Sequence, residues 1–303
     1  MKINKEKFKN KIMGFHDKHY KLLLLISLVL LLSSFAYMGY FYSVNHDFIN
    51  KDTSLTGGTS VTINEKINIA NLKNIISNQL DNVNIREISD LITREQIAVI
   101  VETKSNEQQT RNVLEDYLNH ELNEKNSSFE FTGSTLSESF YKQLLIAILI
   151  SFLLMAIVVF IQFKIFIPSI AVILSAFADI LMTLVVVNLL GIQISSAGIV
   201  AILMLIGYSV DTDILLTSKV LKGTDGTVNH RIFESFKTGI TMTLTSLFAV
   251  LLALIIVGSF SVVLSQIFTI MVIGLSFDIF NTWITNVSII KWYVLRKQRK
   301  NED

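Results

Sequence analysis

Residues 167–218 read IPSIAVILSAFADILMTLVVVNLLGIQISSAGIVAILMLIGYSVDTDILLTS. The stretch is apolar throughout except for a few hydroxyl and amide side chains and three carboxylates, Asp179, Asp211 and Asp213. It is too long for one membrane crossing, which takes about 20 residues. The Gly191–Ser195 turn divides it into two spans, with Pro168 in the first turn of the first, where a missing N–H does no harm. A charged side chain at bilayer depth costs at least ~2.5–3.5 kcal/mol. Carboxylates placed there point to a polar pathway inside a helix bundle, and so to ion or proton handling.

The rest of the chain extends this pattern. It has 303 residues, 51% of them apolar, and a mean hydropathy of +0.52, which puts it among polytopic membrane proteins. The first span is residues 22–42, with seven lysines before it and an aromatic cluster (Tyr37, Tyr40, Phe41, Tyr42) closing it like an interfacial belt. A cleaved leader has the same basic-then-apolar order, but this apolar run is too long for an ordinary one. The second span is about 143–163, between Lys142 and Lys164, and the third and fourth are 167–190 and 192–218. The uncharged run that begins at Thr238 breaks at Gly258-Ser259-Phe260-Ser261, giving a fifth span near 238–257 and a sixth near 262–290 that carries a fourth carboxylate, Asp278. The expected plan is a basic N-terminus (1–21), a span (22–42), a polar domain (45–138), five more spans (142–290) and a basic tail (291–303).

Six spans place both termini on one side. Lys and Arg collect at the N-terminus, in the 219–237 loop and in the C-terminal tail, whereas the turns 191–195 and 258–261 have none. The charge bias therefore predicts cytoplasmic termini, in the cytoplasmic membrane, with the 45–138 domain outside.

That domain alternates between strand and helix periods: strands at 59–64, 83–88, 96–103 and 127–132, and helices at 69–80 and 106–122. The order βαββαβ predicts a ferredoxin-like fold. It carries no paired acid and base, no activated nucleophile and no phosphate loop. Gly57-Gly58 before the first strand reads as a turn or a close backbone approach. The chain has no cysteine, and its five histidines lie outside the spans. Thiol chemistry and a histidine metal site in the membrane are thereby excluded, and neither a cofactor nor a metal is expected. A net charge of +1 gives no field for nucleic acid.

Within the spans, Ser175, Asp179 and Thr183 form one polar stripe, and Gly274, Asp278, Asn281, Thr282 and Thr285 form another. On the fourth span, Gly207, Asp211 and Leu215 share one face. Asp213 lies about 200° round from Asp211, on a face with Ser209 and Thr217. Asp179 and Asp278 sit about 18 Å from a cytoplasmic end, near mid-bilayer. Asp213 is expected closer to the interface, where headgroup water or Lys219 could satisfy it. The fifth span offers Thr241, Thr243 and Thr245, with Lys237 at its mouth. No basic residue falls inside the spans, so a charge partner for the acids would be terminal, as Lys237 is, or come from another chain.

Several stretches, in order, resemble the SecF family of the SecD–SecF protein-export complex, within the resistance-nodulation-division superfamily. Leu55-Thr56-Gly57-Gly58-Thr59 is similar to its D-F-x-G-G-T signature. Ala178-Asp179-Ile180-Leu181-Met182-Thr183-Leu184 is similar to H-D-[IV]-x-x-T-L, and Gly191-Ile192-Gln193-Ile194-Ser195 to the turn after it. Ile206-Gly207-Tyr208-Ser209-Val210-Asp211-Thr212-Asp213 is similar to I-G-Y-S-x-[ND]-[DT], and Thr241-Met242-Thr243-Leu244-Thr245 to N-T-S-L-T. The acid of the fourth-span motif is displaced by one residue to either side, Ala178 replaces a histidine, Thr217-Ser218-Lys219 replaces [FL]-D-R, and Asp278 has no counterpart. These departures point to an archaeal-type branch.

The resemblance implies an auxiliary, non-enzymatic subunit that works with a SecD-like membrane partner and the Sec translocation channel on unfolded secretory polypeptides, coupled to the proton gradient through intramembrane carboxylates; the pathway candidates in this sequence are Asp179, Asp211, Asp213, Asp278 and Lys237. Other readings of the same residues are a small-molecule or lipid exporter, for which a domain of about 95 residues is small, and a non-transporting scaffold of the export channel. An intramembrane aspartyl protease would need two carboxylates facing each other at one depth, and Asp179 is expected about 8 Å deeper than Asp211.

Overall fold

A computed structural model describes residues 2–302 other than 91, 92, 94, 225, 259 and 260, with side chains from 19 to 300. Ser259 and Phe260 of the expected 258–261 turn lie outside the described residues. The chain opens with a long helix, α1 (Lys2–Asn45), whose apolar part is His19–Asn45. A single turn of helix, α2 (Thr53–Thr56), follows and leads into the α+β domain. That domain runs β1 (Gly58–Ile63), α3 (Ile69–Ile76), β2 (Asn84–Ser89), β3 (Gln96–Thr103), α4 (Glu107–Leu118) and β4 (Ser127–Thr132).

The sheet is antiparallel in the order β2-β3-β1-β4, which is the ferredoxin-like arrangement that the βαββαβ pattern predicts. Strict alternation sets the register. Val61 pairs with Val101 and with Phe129, and Ile63 pairs with Val99. Val61, Ile63, Val99 and Val101 are fully buried against Leu72, Ile76 and Leu114 of the two helices. Both helices start where sequence chemistry sets them. The side chains of Asn68 and Asn106 accept the N–H of Asn71 and Gln109, the N-cap bond that satisfies an orphan donor.

Five further elements cross the membrane region: α5 (Ser134–Phe163), α6 (Phe166–Leu189), α7 (Ser196–Lys222), α8 (Val228–Val257), and a last long helix made of α9 (Val262–Phe280), a π-helical segment (Asn281–Asn286) and α10 (Val287–Glu302). With α1 they make six helices, among the described residues, that are long and apolar enough to span. The bundle has a centre and a periphery. In the most apolar windows of α6 and α7, 56% of residues are buried, against 6% in those of α5 and α8. Helices α5 and α8 therefore present most of their apolar surface outward.

Small residues set the close approaches. A Cβ on Gly239 of α8 would lie 2.5 Å from the Trp283 ring. One on Gly274 of α9 would strike Leu205 of α7. The α+β domain rests on the bundle through the 191–195 turn. The Ile194 N–H donates to Asn50 O at 2.6 Å, the Asp52 N–H to Ile194 O at 3.2 Å, and the Asn84 amide to Gln193 Oε1 at 2.8 Å.

Gly57 and Gly58 make both features read for them. Their φ angles are +80° and +135°, and a Cβ on Gly57 would lie 2.5 Å from Ser134 Cα. A side chain is thus excluded by backbone conformation and by contact at once.

Candidate functional site

The centre of the bundle is polar. Asp179 on α6, Asp213 on α7 and Asp278 on α9 are 0%, 0% and 1% exposed. One Asp179 oxygen accepts the Ser209 hydroxyl at 2.5 Å and the other accepts the Asn281 amide at 2.7 Å. The Asn281 carbonyl oxygen in turn accepts the Thr285 hydroxyl at 3.0 Å, and Thr285 meets Ser27 of α1 through a hydroxyl–hydroxyl hydrogen bond. Asp278 is surrounded by hydroxyls: Thr282 donates at 3.2 Å, Thr212 at 3.3 Å and Thr243 of α8 at 3.4 Å. Asp213 accepts the Asn286 amide at 2.6 Å through one oxygen. Its other oxygen has no hydrogen-bond partner among the described residues, with the Ser175 and Thr282 hydroxyls close to the carboxyl group. The carboxylates are close enough for like-charge repulsion between Asp179 and both others, and between Asp213 and Asp278.

The π-helical segment makes this arrangement possible. On a regular α-helix a residue five positions on is rotated by about 140°. Winding with i→i+5 hydrogen bonds brings such a pair back towards one face. Asn281 therefore reaches Asp179 while Asn286 reaches Asp213, and Asn281, Thr282, Trp283, Thr285 and Asn286 are all buried. The sequence stripes contain Asp278, Asn281, Thr282 and Thr285 and leave Asn286 out, although it follows Thr282 at i+4.

The structure reverses the expected roles of the two acids of the fourth span. Asp213 does not reach the interface or pair with Lys219, whose ammonium donates to Thr238 at 3.3 Å instead. It is fully buried, because Ser209, Asp213 and Thr217 lie on the inward face of α7. Asp211 shares the opposite, outward face with Gly207 and Tyr208 and is exposed in the single chain. It does not meet Asp179. Lys237 is likewise exposed on α8. Gly207 has open space where a Cβ would stand.

The absence of basic residues from the buried region also needs correction. Lys291, expected in the tail, is 2% exposed on α10, with its ammonium 5.6 Å from the centre of the Tyr20 ring. The network is built of carboxylates, amides and hydroxyls joined by hydrogen bonds, and of these the carboxylates are the titratable groups.

Residues 113–296 match the family model described as "Protein export membrane protein SecD/SecF, C-terminal". Along nearly its whole length the chain is 37% identical to the protein-export membrane protein SecF of Methanocaldococcus jannaschii, over 290 residues that cover 93% of this chain and 99% of that protein. The chain belongs to the SecF family. A second relative, SecF of Methanothermobacter thermautotrophicus, is 36% identical over 251 residues, covering 81% of this chain and 85% of its own. In fold, this SecF-family chain is similar to the crystal structure of SecDF, a translocon-associated membrane protein from Thermus thermophilus. The TM-score is 0.74 at 18% identity over 93% of this chain. The chain spans 38% of the length of that protein, and the likeness is one of fold. The archaeal relatives agree with the branch that the altered motif acids point to. SecF membership makes this a membrane protein of the protein-export group.

Proposed function

We propose that this chain is the SecF half of a SecD–SecF-type unit that promotes movement of unfolded polypeptides through the Sec channel, driven by ions passing the buried carboxylates. The observation that carries this reading is the network itself: three acids on three helices, fully buried and tied together by hydroxyls and amides. Burying an ionised carboxylate without a compensating charge is costly. A bundle kept for packing alone gains nothing from three. Asp179 and Asp278 are the residues through which a proton or small cation would pass, and Asp213, with one free oxygen, is the third station.

The outward face of α7 supports the partner. Asp211 beside Gly207 and Tyr208 would meet lipid if the chain stood alone. Contact with a second membrane chain removes that cost and fills the open space at Gly207. The lysine and arginine bias supports cytoplasmic termini and an α+β domain outside, where a translocating segment would emerge. The scaffold reading keeps the fold and gives the acids no task. Secretion driven by an imposed ion gradient separates the two: Asp179→Asn and Asp278→Asn each remove the gradient-dependent part if the acids carry ions, and leave it intact if the chain is a scaffold.

A further inference from the structure

Two asparagines of the chain, Asn126 and Asn286, open an Asn-X-Ser triplet, the acceptor pattern for N-linked glycosylation. They stand in opposite settings. Asn286-Val287-Ser288 lies in the last membrane helix, with Asn286 and Ser288 fully buried inside the bundle, out of reach of a transferase. Asn126-Ser127-Ser128 lies at the surface of the α+β domain, where the chain leaves α4 and enters β4.

Asn126 closes a tight turn. Its Oδ1 accepts the Asn123 N–H at 2.7 Å, and Asn123 Oδ1 accepts the Lys125 N–H at 3.0 Å. Asn123, Glu124 and Lys125 are exposed, and Asn126 is half-buried. The Asn126 amide nitrogen donates to Glu121 O at 3.0 Å. An amide nitrogen carries two hydrogens, so this bond leaves one to be replaced. Strand alternation turns Ser127 inward, where it is buried, and Ser128 outward, where it is exposed. The hydroxyl that the triplet needs is therefore the accessible one. β4 is also an edge strand, paired with β1 alone, so its other side is open to an enzyme.

The surface beside the triplet is shaped and polar. A groove of about 500 Å³ has Asn123, Ser127 and Ser128 on one side and Glu107 and Arg111 of α4 on the other. The Arg111 guanidinium lies over the Phe129 ring, 3.9 Å from its centre, and donates to Glu107 at 3.2 Å. Carboxylates accept and a guanidinium donates, and sugar hydroxyls do both. The groove thus offers complementary partners next to the asparagine that would carry a sugar.

We propose that Asn126 is an N-glycosylation site, with the first sugars of the glycan lying in the groove between α4 and the start of β4. The donor is a lipid-linked oligosaccharide on the outer face of the membrane. The Asn126 amide nitrogen displaces the lipid phosphate from C1 of the first sugar. An N–C1 bond forms, the C1–O bond breaks with its electron pair leaving on the lipid phosphate, and the amide proton passes to a base of the transferase. The glycan also shields the open edge of β4, where Phe131 is 55% exposed and another extended chain could pair. The inference rests on the reading that places the α+β domain outside, and stands apart from ion passage through the buried acids.

The test is peptide mass analysis of the full chain purified from the membranes of its own organism. Peptides containing Asn126 should carry the added mass of hexose or hexosamine units. Ser128→Ala, made in the same organism, should be bare at Asn126, and Ser128→Thr should keep the glycan. Amide exchange across residues 123–129 should be slower in the glycosylated chain than in Ser128→Ala, and equal exchange would remove the sugars from the groove. A wild-type chain bare at Asn126, or a Ser128→Ala chain that keeps the modification, overturns the inference. The chain has no native cysteine, so Lys125→Cys reports its side of the membrane through a membrane-impermeant maleimide on intact cells. A bare Asn126 with labelling from outside overturns the glycosylation site alone. A bare Asn126 without labelling overturns the outside placement of the domain as well.

Discussion

Asn281→Leu isolates the most tightly made link of the buried network. Leucine fills nearly the same volume and removes both ends of the amide. Asp179 loses the donor at 2.7 Å and Thr285 loses the acceptor at 3.0 Å. Each buried polar group left unpaired costs about 1–3 kcal/mol, so the variant should lose about 2–4 kcal/mol. For a chain of this size that is a fall in Tm of about 3–6 °C. Thermal unfolding of the purified chain in detergent measures it, with Thr241→Val as reference. The Thr241 hydroxyl is on the exposed face of α8 and donates to Lys237 O of its own helix, so its loss should stay within about 0.5 kcal/mol. The double variant Asp179→Leu/Asn281→Leu carries the argument further. With both partners apolar, its cost should fall below the sum of the singles by about 1–3 kcal/mol. An Asn281→Leu chain no less stable than Thr241→Val, or strictly additive singles, would refute the hydrogen-bonded network as described.

Other outcomes follow from the same contacts. Gly239→Val drives a side chain into the Trp283 ring and should cost about 1–3 kcal/mol in thermal unfolding. Gly207→Leu enters open space, so the isolated chain should unfold at the wild-type temperature while retention of a SecD-like partner on co-purification falls. Equal retention would remove α7 from the proposed interface. Asp52 holds its proton to about 6 in the folded chain against an ordinary 3.8. Its favourable contribution is complete below the ordinary value and lost as pH rises through about 6. Asp52→Asn should therefore gain stability on the order of 3 kcal/mol at pH 8 and nothing at pH 4, read from unfolding midpoints at the two pH values. Gly57→Ala meets both a positive φ and the Ser134 backbone, and should loosen the α+β domain, read as faster amide exchange at Ile194 and Ser196.

Much of the architecture was legible because each part announces its own period. Alternation at 59–64 and 96–103 gives the paired strands, the asparagines at 68 and 106 mark helix starts, and span length separates the membrane helices. The polar stripes at helical spacing identify Asp179 with Ser175 and Asp278 with Thr282. The fourth span was harder. A separation of about 200° shows that Asp211 and Asp213 diverge, but not which one faces inward. A signal was present: Ser209, Asp213 and Thr217 are polar at three successive turns, whereas Asp211 shares its face with Gly207 and Leu215. The π-helical segment left no such trace, since nothing in the sequence Asn281-Thr282-Trp283-Ile284-Thr285-Asn286 departs from an α-helical pattern. Asn286 was missed although it stands four residues after Thr282, at the spacing that joins Asp278 to Thr282. Lys291 and Asp52 were missed because burial of a lone charged residue near a helix end depends on neighbours distant in sequence, Tyr20 in one case and the 191–196 turn in the other.

The central claim is that ions cross the membrane through the buried acids to drive export. It is tested most directly in vesicles holding this chain, a SecD-like partner and the Sec channel, with polypeptide translocation followed while an ion gradient is imposed and then collapsed. The account predicts that Asp179→Asn and Asp278→Asn, in chains that still assemble with the partner, translocate at the gradient-free rate whether or not the gradient is present. Gradient-stimulated translocation at the wild-type rate in both variants would contradict it.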